Sequence, residues 1–146
     1  MSVRELLRSK RSGVVTVAPD DTLGEAARLM MRNDIGGLPV VSADGRPLGF
    51  IAEREVVRAV DRNGGAIQHL TVRSSMRPLP LCSADDSLQE VMGRMTRDRL
   101  RHIVVTDGSA IAGIVSVGDI VKHRLEQLEM ETGVLRDYVI AQRALD

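Results

Sequence analysis

The chain has 146 residues, with 20 Lys plus Arg balanced by 20 Asp plus Glu, so it lacks the basic excess of a nucleic-acid binder. One Phe, one Tyr and no Trp leave no aromatic platforms for base stacking and demand an aliphatic core. A single cysteine, Cys82, excludes an internal disulfide framework, and no apolar run approaches a membrane span.

The start, Met1 to Glu5, has no secretory h-region, so a soluble cytoplasmic protein without nucleic-acid or membrane partners is expected. Val3, Leu6 and Leu7 give Ser2 to Lys10 a short amphipathic character, and Arg8 to Gly13 reads as a polar loop. Val14 to Val17 is a short β-prone run. Thr22 and Glu25 form an S/T-x-x-E capping box, and Leu23, Ala26, Ala27 and Met30 make one apolar helical face. Leu38 to Val41 and Leu48 to Ile51 read as strands joined by a turn with an Asp44-Gly45 hairpin signal. A second helix is expected from Glu53 to about Val60, with Val56, Val57 and Val60 inward, broken at Asn63-Gly64-Gly65. Residues 61–78 read as a tether with one helical turn.

The pattern then returns. Leu79 to Ser83 is strand-like, Ser87 and Glu90 repeat the capping box, and Leu88, Val91, Met92 and Met95 repeat the apolar face. Leu100 to Val105 matches Ile35 to Val40, Asp107-Gly108 is the turn, and Ile111 to Val117 is the returning strand. The offset is 65 residues from Leu23 to Leu88 and 64 from Gly49 to Gly113. Two β-α-β-β-α units follow, each too small to bury its sheet alone, so they must share one core. The expected divisions are an N-terminal segment (1–13), a first repeat (14–62), a linker (63–77), a second repeat (78–127) and a C-terminal helix (128–146). Val121, Leu125, Leu128, Thr132, Leu135 and Val139 form a seam in that tail, which Gly133 is expected to interrupt. The helix packs either on its own domain or on a partner subunit.

At the end of the second unit, Gly113, Ile114, Ser116 and Asp119 stand where a strand turns into a helix. Such a place offers free backbone N–H groups and the positive end of a helix dipole, suited to the sugar and phosphate of a nucleotide. Ser116-x-x-Asp119 is also a plain capping box, and one pair can serve both purposes.

The paired motifs PDDTLGEAARLM and ADDSLQEVMGRM, GGLPVV and RHIVVT, GFIAEREVV and GIVSVGDIV resemble a tandem CBS-domain protein, a Bateman module of the small stand-alone type. The resemblance implies an α+β fold of two pseudo-symmetric CBS repeats packed as one module, with two chains stacked in a disc-like homodimer. It also implies a sensor of an adenosine-containing ligand (AMP, ADP, ATP, NAD or S-adenosylmethionine) bound between the repeats, with no cofactor required and an unidentified protein partner allowed. Carried onto this chain, Asp119 would accept from the ribose hydroxyls, Ser116 would reach ribose or phosphate, and Arg101 and His102 would meet phosphate. Val15, Ile35 with the backbone at Gly36, and Ile114 would enclose the adenine, and Lys10 is a further candidate. The other cleft, assigned to Glu55, Ala52, Phe50 and Pro80, departs from the pattern. Ala52 replaces the hydroxyl and Glu55 the aspartate, so this cleft is expected to be weak, empty or adapted to another ligand. Without a P-loop, a metal-ligand set or a catalytic triad, an enzyme is not expected; an interaction scaffold without a ligand is the alternative. Cys82 reads as a small core residue.

Overall fold

A computed structural model describes residues 1–10 and 13–145 of the chain. Five helices and five strands follow in the order α1 (Val3–Ser9), α2 (Leu23–Asn33), β1 (Gly37–Val41), β2 (Pro47–Ala52), α3 (Glu53–Asn63), β3 (Leu81–Ser83), α4 (Leu88–Arg97), β4 (His102–Asp107), β5 (Ala110–Ser116) and α5 (Val117–Leu145). The repeat holds in three dimensions. Thr22 and Ser87 cap α2 and α4 by accepting from the backbone N–H of Glu25 and Glu90. Just beyond those helices Asp34 and Arg99, 65 residues apart, both take the left-handed conformation with φ 53°. β1 pairs antiparallel with β2 through Gly37↔Ala52, and β4 with β5 through His102↔Ser116.

The units differ at their first strand. β3 pairs parallel with β4, but the run Val14–Val17 makes only a single bridge, Val17↔Val40. The cause is Pro39. In the second unit the N–H of Val104 donates to Pro80 O at 2.7 Å, and the residue 65 positions earlier is Pro39, which has no N–H to extend the ladder.

Other expectations need correction. α1 extends to Ser9, so the polar loop starts later than Arg8, and its Arg11–Ser12 part lies outside the described residues, as does Asp146. On α3 the buried positions are Glu55 and Ala59, one turn apart, with Val56 beside them, while Val57 and Val60 face outward. The linker is not a bare tether. It forms two 3₁₀ turns, Gly64–Gln68 and Val72–Ser74, and Val72 is fully buried in the first core. The turn after β1 is also longer than its Asp-Gly signal suggests: Ser42 N–H donates to Arg46 O at 2.9 Å, closing a loop with Gly45 at φ 85°. α5 runs unbroken through Gly133, because one helical glycine costs only about 1 kcal/mol relative to Ala. The expected boundary at 127/128 therefore falls inside a continuous helix.

Three apolar clusters hold the molecule. The first lies in the first unit around Leu23, Leu38, Ile51 and Val72. The second, around Leu88, Ile103, Val105 and Val115, includes Val3 and Leu6, so α1 belongs to the second unit although it is joined to the first. Arg4 reinforces this docking with ion pairs to Asp85 (3.0 Å) and Asp107 (2.7 Å). The third cluster joins the units: Phe50 and Ala52 from β2 meet Val104 from β4, with Leu79, Ile111 and Ile114 around them. Cys82 is buried in the second cluster, and desolvation pushes its thiol up to about 11. That is the environment of an inert core cysteine. Among the described residues, no helix is long and apolar enough to cross a membrane, and no cluster of His, Cys, Asp and Glu could hold a metal ion.

Candidate functional site

A cavity of about 620 Å³ opens between the two units, with walls from both. The second unit contributes Gly113, Ile114, Ser116 and Asp119 from the end of β5 and the start of α5. The first unit contributes Val15 before its bridge and Ile35, Gly36 and Gly37 at the entry to β1. Leu7 and Lys10 approach from α1, and His102 lies at the start of β4.

Ser116 and Asp119 cap the start of α5 reciprocally. The Asp119 N–H donates to Ser116 Oγ at 3.1 Å, and the Ser116 N–H donates to Asp119 Oδ2 at 2.9 Å. The same Oδ2 accepts from Lys10 Nζ at 2.8 Å, and Lys10 also donates to Ile114 O at 2.8 Å. Burial opposes the Asp119 charge, but the Lys10 and Ser116 bonds outweigh it and hold the carboxyl below the usual aspartate range. The described hydrogen bonds of the carboxylate all use Oδ2, and a carboxylate has about four lone-pair sites across its two oxygens. Acceptor capacity therefore remains for two vicinal hydroxyls. The side walls are aliphatic and suit the faces of a purine. Glycine backbone at 36 and 37 admits close approach: a Cβ on Gly36 would lie 3.2 Å from the His102 ring, and one on Gly37 would lie 2.5 Å from Phe50.

His102 sits where the units meet. Its ring centroid is 5.7 Å from that of Phe50, and its Nδ1 is buried without a partner among the described residues. Burial, with Arg77 nearby, pushes its pKa below the usual histidine range, while Glu53 pulls weakly the other way. It is therefore a neutral ring at pH 7, a hydrogen-bonding group rather than a cation.

Arg101 is not brought to this cavity. Its side chain is exposed, and its carbonyl accepts from Val117 N at 3.0 Å. In the first unit Gly36 O accepts from Glu53 N at 3.1 Å. Arg101 is thus the counterpart of Gly36, and among the described residues it does not line the Asp119 cavity, where it was expected. Asn33 and Asp34 also line the cavity, carried there by the left-handed turn at Asp34.

The residues assigned to the opposite cleft are buried. Phe50 is fully buried, Ala52 and Glu55 nearly so, and Pro80 is buried with its carbonyl on Val104. Glu55 Oε2 accepts from Ala52 N at 2.9 Å, so only half of the capping box survives, since Ala52 has no hydroxyl. Glu55 Oε1 lies 3.6 Å from Arg77 Nε, and the Arg77 guanidinium covers the Phe50 ring at 5.3 Å. The carboxylate that corresponds to Asp119 is thus committed to a cap and an ion pair.

The family model for the CBS domain matches residues 3–62 and again 72–126. Among curated proteins, the inosine-5'-monophosphate dehydrogenase of Methanocaldococcus jannaschii is 33% identical over 113 residues, which is 76% of this chain but 22% of that enzyme. The chain thus spans about a fifth of the length of that relative. Among solved structures, the CBS-domain containing protein ATU1752 from Agrobacterium tumefaciens is similar with a TM-score of 0.80 and 39% identity, covering 84% of this chain and 92% of that one. The CBS domain pair of protein MJ0100, solved in complex with 5'-methylthioadenosine and S-adenosyl-L-methionine, shares the fold at TM-score 0.77 and 21% identity, over 87% of this chain and 98% of that one. The chain belongs to the CBS domain family and carries two copies of the domain.

Proposed function

We propose that this protein is a regulatory module that binds an adenosine-containing nucleotide (AMP, ADP, ATP or NAD) in the cleft between its repeats, with one dominant site per chain. The observation that carries this reading is the joining of Asp119, Ser116 and Lys10 with the aliphatic walls of Val15, Ile35 and Ile114 around one cavity. Asp119 receives the ribose hydroxyls, the positive end of the α5 dipole and Lys10 face the phosphate side, and the apolar walls enclose the base. Support also comes from the same fold in MJ0100, which holds adenosine derivatives. Occupancy then changes how the module packs on a second copy or on another protein, and no chemical step is assigned to it.

The test is calorimetric titration of the full chain with AMP, ATP, NAD and S-adenosylmethionine. Saturable binding near one site per chain supports the proposal and identifies the ligand. No binding to any of them favours the alternative, an interaction scaffold in which Ser116 and Asp119 only cap a helix.

A further inference from the structure

We propose that the distal part of α5 pairs with the same helix of a second copy of this chain as a parallel, in-register two-stranded coiled coil. α5 has 29 residues. It packs on its own unit through Ile120, His123 and Gln127, and beyond Gln127 every described residue except Gly133 is exposed. At 100° per residue, the seam Val121, Leu125, Leu128, Thr132, Leu135 and Val139 lies roughly 130° around the helix from that packed face. Leu128 is 55% and Leu135 64% exposed, so the seam faces away from its own module.

The seam carries its own instructions for a partner. Its spacings alternate four and three over three heptads, with Val121, Leu128 and Leu135 at d and Leu125, Thr132 and Val139 at a. Leucine at d with β-branched residues at a favours two parallel strands. The flanking charges agree. In a parallel in-register pair, Arg124 of one copy faces Glu129 of the other, and Glu131 faces Arg136, each pair occurring twice by symmetry. No like charges are opposed. An antiparallel pairing centred between Leu125 and Leu128 strands Leu135 and Val139 without apolar partners, and one centred between Thr132 and Leu135 strands Val121 and Leu125 and opposes Lys122 to Arg143. The parallel arrangement buries the whole seam, so the occupant that fits this face is a second copy in that orientation.

Cysteine cross-linking in the full chain separates the outcomes. In a Cys82→Ser background, Leu135→Cys places two thiols opposite each other at a d layer, within the Cα separation a disulfide needs, about 4.4–6.8 Å. Met130→Cys, at an outward heptad position, is the control. We expect mild oxidation to convert most of the Leu135→Cys chain, and little of the Met130→Cys chain, to a covalent dimer. Adding Leu128→Asp to the Leu135→Cys chain should abolish the cross-link. A chain that light scattering shows to be monomeric overturns the proposal. So does a dimer in which Leu135→Cys, or Val121→Cys in the same background, does not cross-link, because that dimer uses another face or an antiparallel order.

Discussion

Lys10 Nζ lies 2.8 Å from Asp119 Oδ2, joining the end of the first helix to the start of the last across the mouth of the cavity between the repeats. Both side chains are shielded but not sealed, with 31% and 24% of their surfaces exposed. The pair holds the carboxylate ionised while leaving it within reach of a ligand. Among the described residues, Lys10 is the one Lys or Arg lining that cavity.

Lys10→Met should therefore weaken phosphorylated ligands more than adenosine itself. Losing one charge-assisted contact costs about 1.5–3 kcal/mol, so AMP affinity should fall on the order of tenfold to a hundredfold. Parallel titrations of AMP and adenosine with wild type and variant measure this. Equal losses for both ligands would remove Lys10 from the phosphate.

Glu55 is a structural residue in this account. It is 6% exposed, caps the buried Ala52 N–H and pairs with Arg77. Glu55→Ala leaves that donor unsatisfied and should lower stability by about 1–3 kcal/mol. The shift of the urea midpoint reports it, and nucleotide affinity should stay nearly constant. A large loss of affinity with little loss of stability would make the second cleft a binding site.

His102 makes folding depend on pH. Burial, more than its charged neighbours, depresses its pKa below the ordinary value of 6.5, so near and below that pH the unfolded chain binds more protons than the folded one. The contribution is fully present above pH 6.5 and is lost as pH falls toward the depressed folded value. The lowered carboxylates, Asp44, Asp107 and Asp119, act in a separate window below their ordinary value of 3.8. Melting temperatures between pH 7.5 and about 5 should fall for wild type and fall less for His102→Gln. Parallel slopes would remove His102 as the source.

Leu6 tests the crossing of α1 onto the second unit. It is 4% exposed within a core that, apart from Val3 and Leu6 itself, is built from residues 82–120. Leu6→Ala should cost about 2–5 kcal/mol. Hydrogen exchange should show the loss in β4, β5 and α4 as well as in α1. Protection lost from α1 alone would mean that the helix is an appendage.

Much of this architecture is readable from local chemistry. The hydroxyl–carboxylate pairs at 22/25, 87/90 and 116/119 announce three helix starts, and the 65-residue offset between the first two announces the repeat. What escapes a local reading depends on partners far along the chain. Val14–Val17 looks like a strand, yet Pro39 on the neighbouring strand removes the donor it needs. Lys10 and Asp119 are 109 residues apart, and nothing near Lys10 in sequence shows that α1 crosses to the second unit. Arg101 was readable in principle: 65 positions earlier stands Gly36, and that correspondence places the arginine away from the Asp119 cleft. Val57 and Val60 mislead because the inward face of α3 is set by the Glu55 cap, which outweighs their greater apolarity.

Nucleotide binding at Asp119 is tested most directly by the dissociation constant of the nucleotide for wild type and for Asp119→Asn, with thermal unfolding of both chains recorded alongside. Asparagine keeps a side-chain oxygen that can accept from the Ser116 N–H while removing the charge. Affinity should fall about tenfold to a hundredfold with little change in melting temperature. Unchanged affinity would contradict that binding and reduce Ser116 and Asp119 to a helix cap.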